Sequence, residues 1–121
     1  MTRENGGKRL TFPKKRRLTR PVDFERVKID GRSERGRLLV LSVLSNTEQV
    51  RAGFVTARAI GSVVARNRVR RRLREIVRKH QHEIREGWII TVARVAAASA
   101  TFQELEAEWL RLARRASILA A

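Results

Sequence analysis

Cysteine does not occur among the 121 residues. Disulfides and thiolate metal sites are therefore excluded, a composition that suits a reducing cytosol. Asp23 and Asp30 are the only aspartates, and His80 and His82 the only histidines. The two histidines fall at the polar end of a basic segment without a second pair of ligands, so no metal site is expected of them. No Ser/His/Asp arrangement, Gly-rich phosphate loop or paired-carboxylate motif is present, and no catalytic residue is expected. Long apolar runs are missing too. The longest, Leu38 to Leu44, is interrupted by Ser42 and falls far short of the roughly 20 residues needed to span a bilayer. No apolar stretch follows the basic N-terminus, and a soluble cytoplasmic protein without a membrane partner is expected.

Positive charge is what the chain has. Lys and Arg total 28 against 12 Asp and Glu, a net charge of +16. Charge of this size speaks about partners, not about fold, and points to nucleic acid. With 42% hydrophobic residues, the chain can build one core that buries roughly two-thirds of its unfolded surface. The charge is concentrated between Ala65 and Lys79, where eight basic side chains accompany one acid, Glu75. Val69, Leu73, Ile76 and Val77 recur there at helical spacing and predict a stripe that faces a core. Asn67, Arg70, Arg71, Arg74 and Arg78 are expected on the opposite, solvent-exposed side, with Arg66 at its border. Planar, many-donor guanidinium groups match phosphate oxygens, so this helix is expected to dock on nucleic acid.

Residues 1–17 carry many bases and one acid, with Gly6, Gly7 and Pro13, and read as a flexible basic arm. Residues 18–117 read as one nucleic-acid-binding domain and 118–121 as a tail. Pro21, Asp23 and Gly31 suit the start, the first turn and the end of a short helix on which Phe24 and Val27 share a face. Residues 37–44 and 50–57 predict two strands that pair as an antiparallel hairpin across a polar turn. The basic helix follows over 62–79, then a third strand over 88–93. Thr101 and Glu104 form a capping box for a last helix. Its buried stripe is expected to be Phe102, Leu105, Trp109, Leu112, Ala113 and Ala116, with nothing polar interrupting it. This order implies an α/β two-layer sandwich.

Asp23-Phe24, Arg51-Ala52-Gly53-Phe54-Val55, Ile60-Gly61 and above all Arg66-Asn67-Arg68 together resemble the protein subunit of bacterial ribonuclease P, over about residues 17–116. The most specific element is Ile60-Gly61 placed five residues before Arg66-Asn67-Arg68. The resemblance implies a four-stranded sheet packed with three helices and a left-handed βαβ crossover. It also implies partners: a catalytic RNA subunit and precursor tRNA, whose 5′ leader the RNA cleaves with Mg²⁺ held mainly by the RNA, the protein alone being inactive. On the same ground Arg66, Asn67, Arg68, Arg70, Arg71 and Arg74 would contact RNA, with Arg58 assisting, and Phe24 would line a groove for the single-stranded leader. Lys28 and Ser42 stand where the family often has aromatics, so this groove should stack bases less and attract phosphates more.

A ribosomal or other structural RNA-binding protein would share the charge and the missing chemistry, but not the spacing around Arg66-Asn67-Arg68. DNA is not expected, because the turn before the basic helix follows a strand and not a second helix. A membrane-surface helix is disfavoured by the lack of aromatics on the apolar face.

Overall fold

A computed structural model describes residues 16–45, 49–85 and 87–120. The bulk of the predicted basic arm, residues 1–15, and most of the predicted polar turn lie outside them. Three helices, α1 (Pro21–Asp30), α2 (Val63–His80) and α3 (Phe102–Arg115), pack on four strands, β1 (Arg32–Arg35), β2 (Leu39–Leu44), β3 (Arg51–Thr56) and β4 (Trp88–Ala93). The sheet order is β1-β2-β4-β3. β4 is antiparallel to β2 and parallel to β3, so β3, α2 and β4 form a crossover unit.

Two expectations about the sheet are corrected. β2 and β3 do not form a hairpin, because β4 lies between them. Their sequences give the reason: β2 and β4 bury side chains on both faces, as central strands do, whereas β3 opens with Arg51 and includes Gly53, and takes an edge. The fourth strand, which no apolar pattern announced, is β1. Its sequence Arg32-Ser33-Glu34-Arg35 is almost wholly exposed, and backbone pairing to β2 alone makes it a strand.

The helix ends follow their local chemistry. Pro21 opens α1 and the Gly31 N–H closes it on the Val27 carbonyl; Ser62 caps α2 by accepting from the Ala65 N–H at 3.1 Å. Alternation along the strands then makes two apolar layers. Leu39, Leu41, Val43, Ala52 and Ile89 face α2 and α3, meeting Val69, Leu73, Ile76 and Val77 from the basic helix and Leu105, Trp109 and Leu112 from the last one. On the other face Leu44 and Ile90 meet Leu18 and Val27, with Phe24, Trp88 and Val92 at their border. α1 covers only part of this second face.

The stripe of α3 is interrupted after all. Glu108 is buried within it and accepts the backbone N–H groups of Leu38 and Leu39 at 2.6 and 2.7 Å, its second oxygen meeting Arg111 at 3.0 Å. The segment set apart as a tail is also packed: Ile118 is buried, and Leu119 bridges to Ile84.

Candidate nucleic-acid interface

α2 turns its apolar stripe into the core, and that rotation fixes where the arginines go. Arg66, Arg70 and Arg74, spaced by four, run along the flank of α2 beside β3. They are half-buried, which corrects the expectation of a fully exposed face. Asn67, Arg68 and Arg71 are the exposed members, and Arg58 is exposed in the connection after β3.

Arg66 reaches back to donate to the Gly61 carbonyl at 2.8 Å and to the Ile60 carbonyl at 3.4 Å. Ile60 is itself buried, so it pins the connection while Arg66 closes it. The five-residue spacing between Gly61 and Arg66 thus has a geometric meaning. Arg70 donates to Thr56 Oγ1 at the end of β3, at 3.2 Å, and to Asn67 Oδ1. Arg72 leaves the group and donates to the Ala100 carbonyl on the other flank, while Arg78 is engaged by Glu75.

Arg74 is the least balanced of the set. Its guanidinium lies 5.9 Å from the centre of the Phe54 ring, and its Nε is buried without a hydrogen-bond partner. Burial, and then repulsion from Arg17 and Arg70, lowers its pKa below that of an ordinary guanidinium. Among the described residues no carboxylate is placed against the Arg74 guanidinium, a position that a phosphate oxygen at the surface would suit. The face does not fit a Mg²⁺ ion, since its side chains are donors and cations. Among the described residues no group of three or more His, Cys, Asp or Glu could hold a metal.

On the opposite face of the sheet, the part left uncovered by α1 is a groove of about 470 Å³. Phe24, Lys28 and Ser42 all line it, so the structure brings together the three residues singled out for a groove. Sequence reasoning missed Arg35, Glu25 and the apolar floor of Val40, Val55, Ile90 and Val92. Alternation along β2, β3 and β4 could have found that floor once the strand order was known. Phe24 lies across Gly53, where an added Cβ would stand 2.7 Å from the ring. Glycine at 53 is thus what lets the ring approach the sheet, part core and part groove wall.

A helix dense in arginines beside a half-open sheet defines a class of protein, an α/β domain made for a polyanion. The Ribonuclease P family model matches residues 12–117. The chain is 43% identical over 108 residues to the ribonuclease P protein component of Acidothermus cellulolyticus, spanning 86% of this chain and 90% of that one. It is 39% identical over 106 residues to that of Roseiflexus castenholzii, spanning 85% and 87%. Among solved structures it is similar to a Staphylococcus aureus RNase P protein mutant with defective mRNA degradation activity, with a TM-score of 0.82, 28% identity and coverage of 88% of this chain and 92% of that one. The RNase P protein of Thermotoga maritima follows with a TM-score of 0.74, 26% identity and coverage of 82% and 96%. The chain therefore belongs to the ribonuclease P protein family. As such it is the protein component of a ribonucleoprotein endoribonuclease and has a role in tRNA 5′ maturation, in partnership with a catalytic RNA. No helix among the described residues is long and apolar enough to cross a membrane.

Proposed function

We propose that the α2 face binds the catalytic RNA of ribonuclease P and that the groove beside α1 receives the 5′ leader of precursor tRNA. Arg68, Asn67 and Arg71 offer outward donors, with Arg58 beside them, and Arg66, Arg70 and Arg74 supply fixed charge behind. The observation that carries this reading is Arg74, buried at Nε without a hydrogen-bond partner, crowded by Arg17 and Arg70, and without a carboxylate beside it among the described residues, a charge that RNA phosphate would supply. The chemistry and the Mg²⁺ are assigned to the RNA, since the protein's interface consists of cations. The compartment is assigned to the cytoplasm.

In the reconstituted holoenzyme, about six phosphate contacts would cost roughly a thousandfold in affinity for the catalytic RNA between 50 and 200 mM salt. Arg68→Gln with Arg71→Gln, both exposed, should flatten that response and leave the melting temperature unchanged. A salt response that the pair leaves intact would refute the α2 assignment.

The groove has its own test. Phe24 and Lys28, one helical turn apart, offer a stacking ring and an ammonium for phosphate. Phe24→Ala should cost precursor tRNA about 1 to 3 kcal/mol of binding and leave mature tRNA nearly unaffected. An equal loss for both RNAs would return Phe24 to a purely structural role. Because the ring also packs on Gly53, thermal stability is measured beside affinity.

A further inference from the structure

The arginines of α2 do not end the basic surface. β3 is an edge of the four-stranded sheet, and the chain before α1 lies against it, Arg17 bridging to Ala52 and the Leu18 N–H donating to the Ala52 carbonyl at 2.8 Å. Arg17 also lies close enough to Arg74 to lower its pKa, so charge continues from α2 to this edge. Beyond the edge, on the face that α1 covers, a second cluster begins. Arg51 and Trp88 are register partners at the starts of β3 and β4, and the guanidiniums of Arg51 and Arg26 lie 5.7 and 5.4 Å from the centre of the Trp88 ring. Thr56, which holds Arg70, is five strand residues further on, roughly 17 Å away. The two clusters therefore occupy different ends and different faces of β3.

Two guanidiniums thus share one indole. The ring attracts each guanidinium through its negative face, and a cation held this way keeps N–H donors for an anion. Among the described residues neither the Arg26 nor the Arg51 side chain has a carboxylate or carbonyl partner. A phosphate oxygen pair is the bidentate acceptor such forks match.

We propose that Arg26, Trp88 and Arg51 form a second phosphate-binding site that continues the α2 face around the β3 edge, and that its occupant is the backbone of the catalytic RNA. Continuity through Arg17 selects that RNA over the leader, whose proposed groove lies on the other flank of α1, where Glu25 and Lys28 point. The inference rests on the reading that α2 binds the catalytic RNA.

The test compares two double variants in one assay, binding of the protein to its catalytic RNA between 50 and 200 mM salt. Arg26→Gln with Arg51→Gln removes two contacts of roughly 0.9 slope units each, so the wild-type loss of affinity over this range should exceed the variant's about tenfold. Arg26→Lys with Arg51→Lys keeps both charges and should keep most of the slope; a slope as flat as that of the glutamine pair would mark the effect as structural and overturn the site. If Arg68→Gln with Arg71→Gln flattens the response and Arg26→Gln with Arg51→Gln does not, the α2 reading stands and this inference fails. If neither pair changes it, both fall. Intact assembly with weakened binding of leader-bearing precursor tRNA alone would overturn the choice of occupant.

Discussion

α2 and α3 are both long, charged and half-buried, yet they handle charge in opposite ways. In α3 the charges serve the fold. Glu104 completes the capping box, accepting from the Thr101 N–H at 2.8 Å while the Thr101 hydroxyl accepts from the Glu104 N–H at 3.1 Å, and the bases gather in the last turn, as the helix dipole favours. The Thr101 backbone contact holds the Glu104 carboxyl below its ordinary pKa. α2 has no acid in its first turn, and Arg66 and Arg68 stand near its positive end. Local charge chemistry disfavours that placement. Both helices gather bases in their last turns, so the contrast lies at their starts. The helix whose first turn agrees with its own stability belongs to the scaffold, and the helix that puts arginines near an uncompensated positive end awaits a partner.

The largest effect that would sharpen this contrast is expected at Glu108. Glu108→Ala leaves the buried N–H groups of Leu38 and Leu39 without an acceptor and should cost about 2 to 4 kcal/mol in denaturant unfolding. Glu108→Gln, whose amide oxygen still accepts, should cost less. A loss no larger than that of an exposed substitution would mean that the α3 charges do not support the fold.

A smaller effect is expected with acid, where α2 and α3 meet. His80 lies between Glu83 and Glu106, 2.9 and 2.8 Å from their carboxylates, and Lys79 reaches Glu106 at 2.9 Å. The Lys79 contact, then that of His80, lowers the Glu106 pKa against an opposing effect of burial; the His80 contact lowers that of Glu83. A carboxyl with a depressed folded pKa stabilises above the unfolded value of about 4.3 and loses that contribution as the pH falls through the folded one. Melting temperature should therefore drop on acidification below about pH 4, and Glu106→Gln should shrink the drop. An identical acid response in the variant would remove Glu106 from the account.

The smallest effect tests α2 from the side of stability. Val64 is exposed in its first turn, and Val64→Glu supplies the missing acid, which should stabilise the free protein by about 0.3 to 1 kcal/mol while weakening binding to the catalytic RNA. A variant that gains stability and also binds RNA better would break the opposition between the two helices.

The helices were legible in the sequence because their signals are local. Pro21, Gly31, Thr101 and the spacing of Val69, Leu73, Ile76 and Val77 fix ends and faces within a few residues. Strand pairing was not legible in that way. Two apolar runs across a short polar turn fit a hairpin equally well, and only the burial of both faces of β4 decides who sits in the middle. β1 has no apolar residue to betray it, and Glu108 looked like helix surface because its partners are backbone N–H groups some 70 positions away. At the candidate site, residue types and spacing brought out the arginines, and the family resemblance brought out Phe24, Lys28 and Ser42. The half-burial of Arg70 and Arg74 depended on how α2 leans on β3, and the pairing of Arg26 and Arg51 on Trp88 needed the register of β3 with β4.

The place of β4 between β2 and β3 has a consequence for how the chain comes into being. The strand that joins the two halves of the sheet is the last of the four to be synthesised, and the strongly basic α2 lies within the loop it closes. Until residue 93 has emerged, β2 and β3 present open edges and the inner core cannot assemble, so folding awaits a non-local closure of the kind that slows small domains. A nascent chain in that interval carries its arginines before it has a shape, and RNA met at that stage would meet charge first and architecture second.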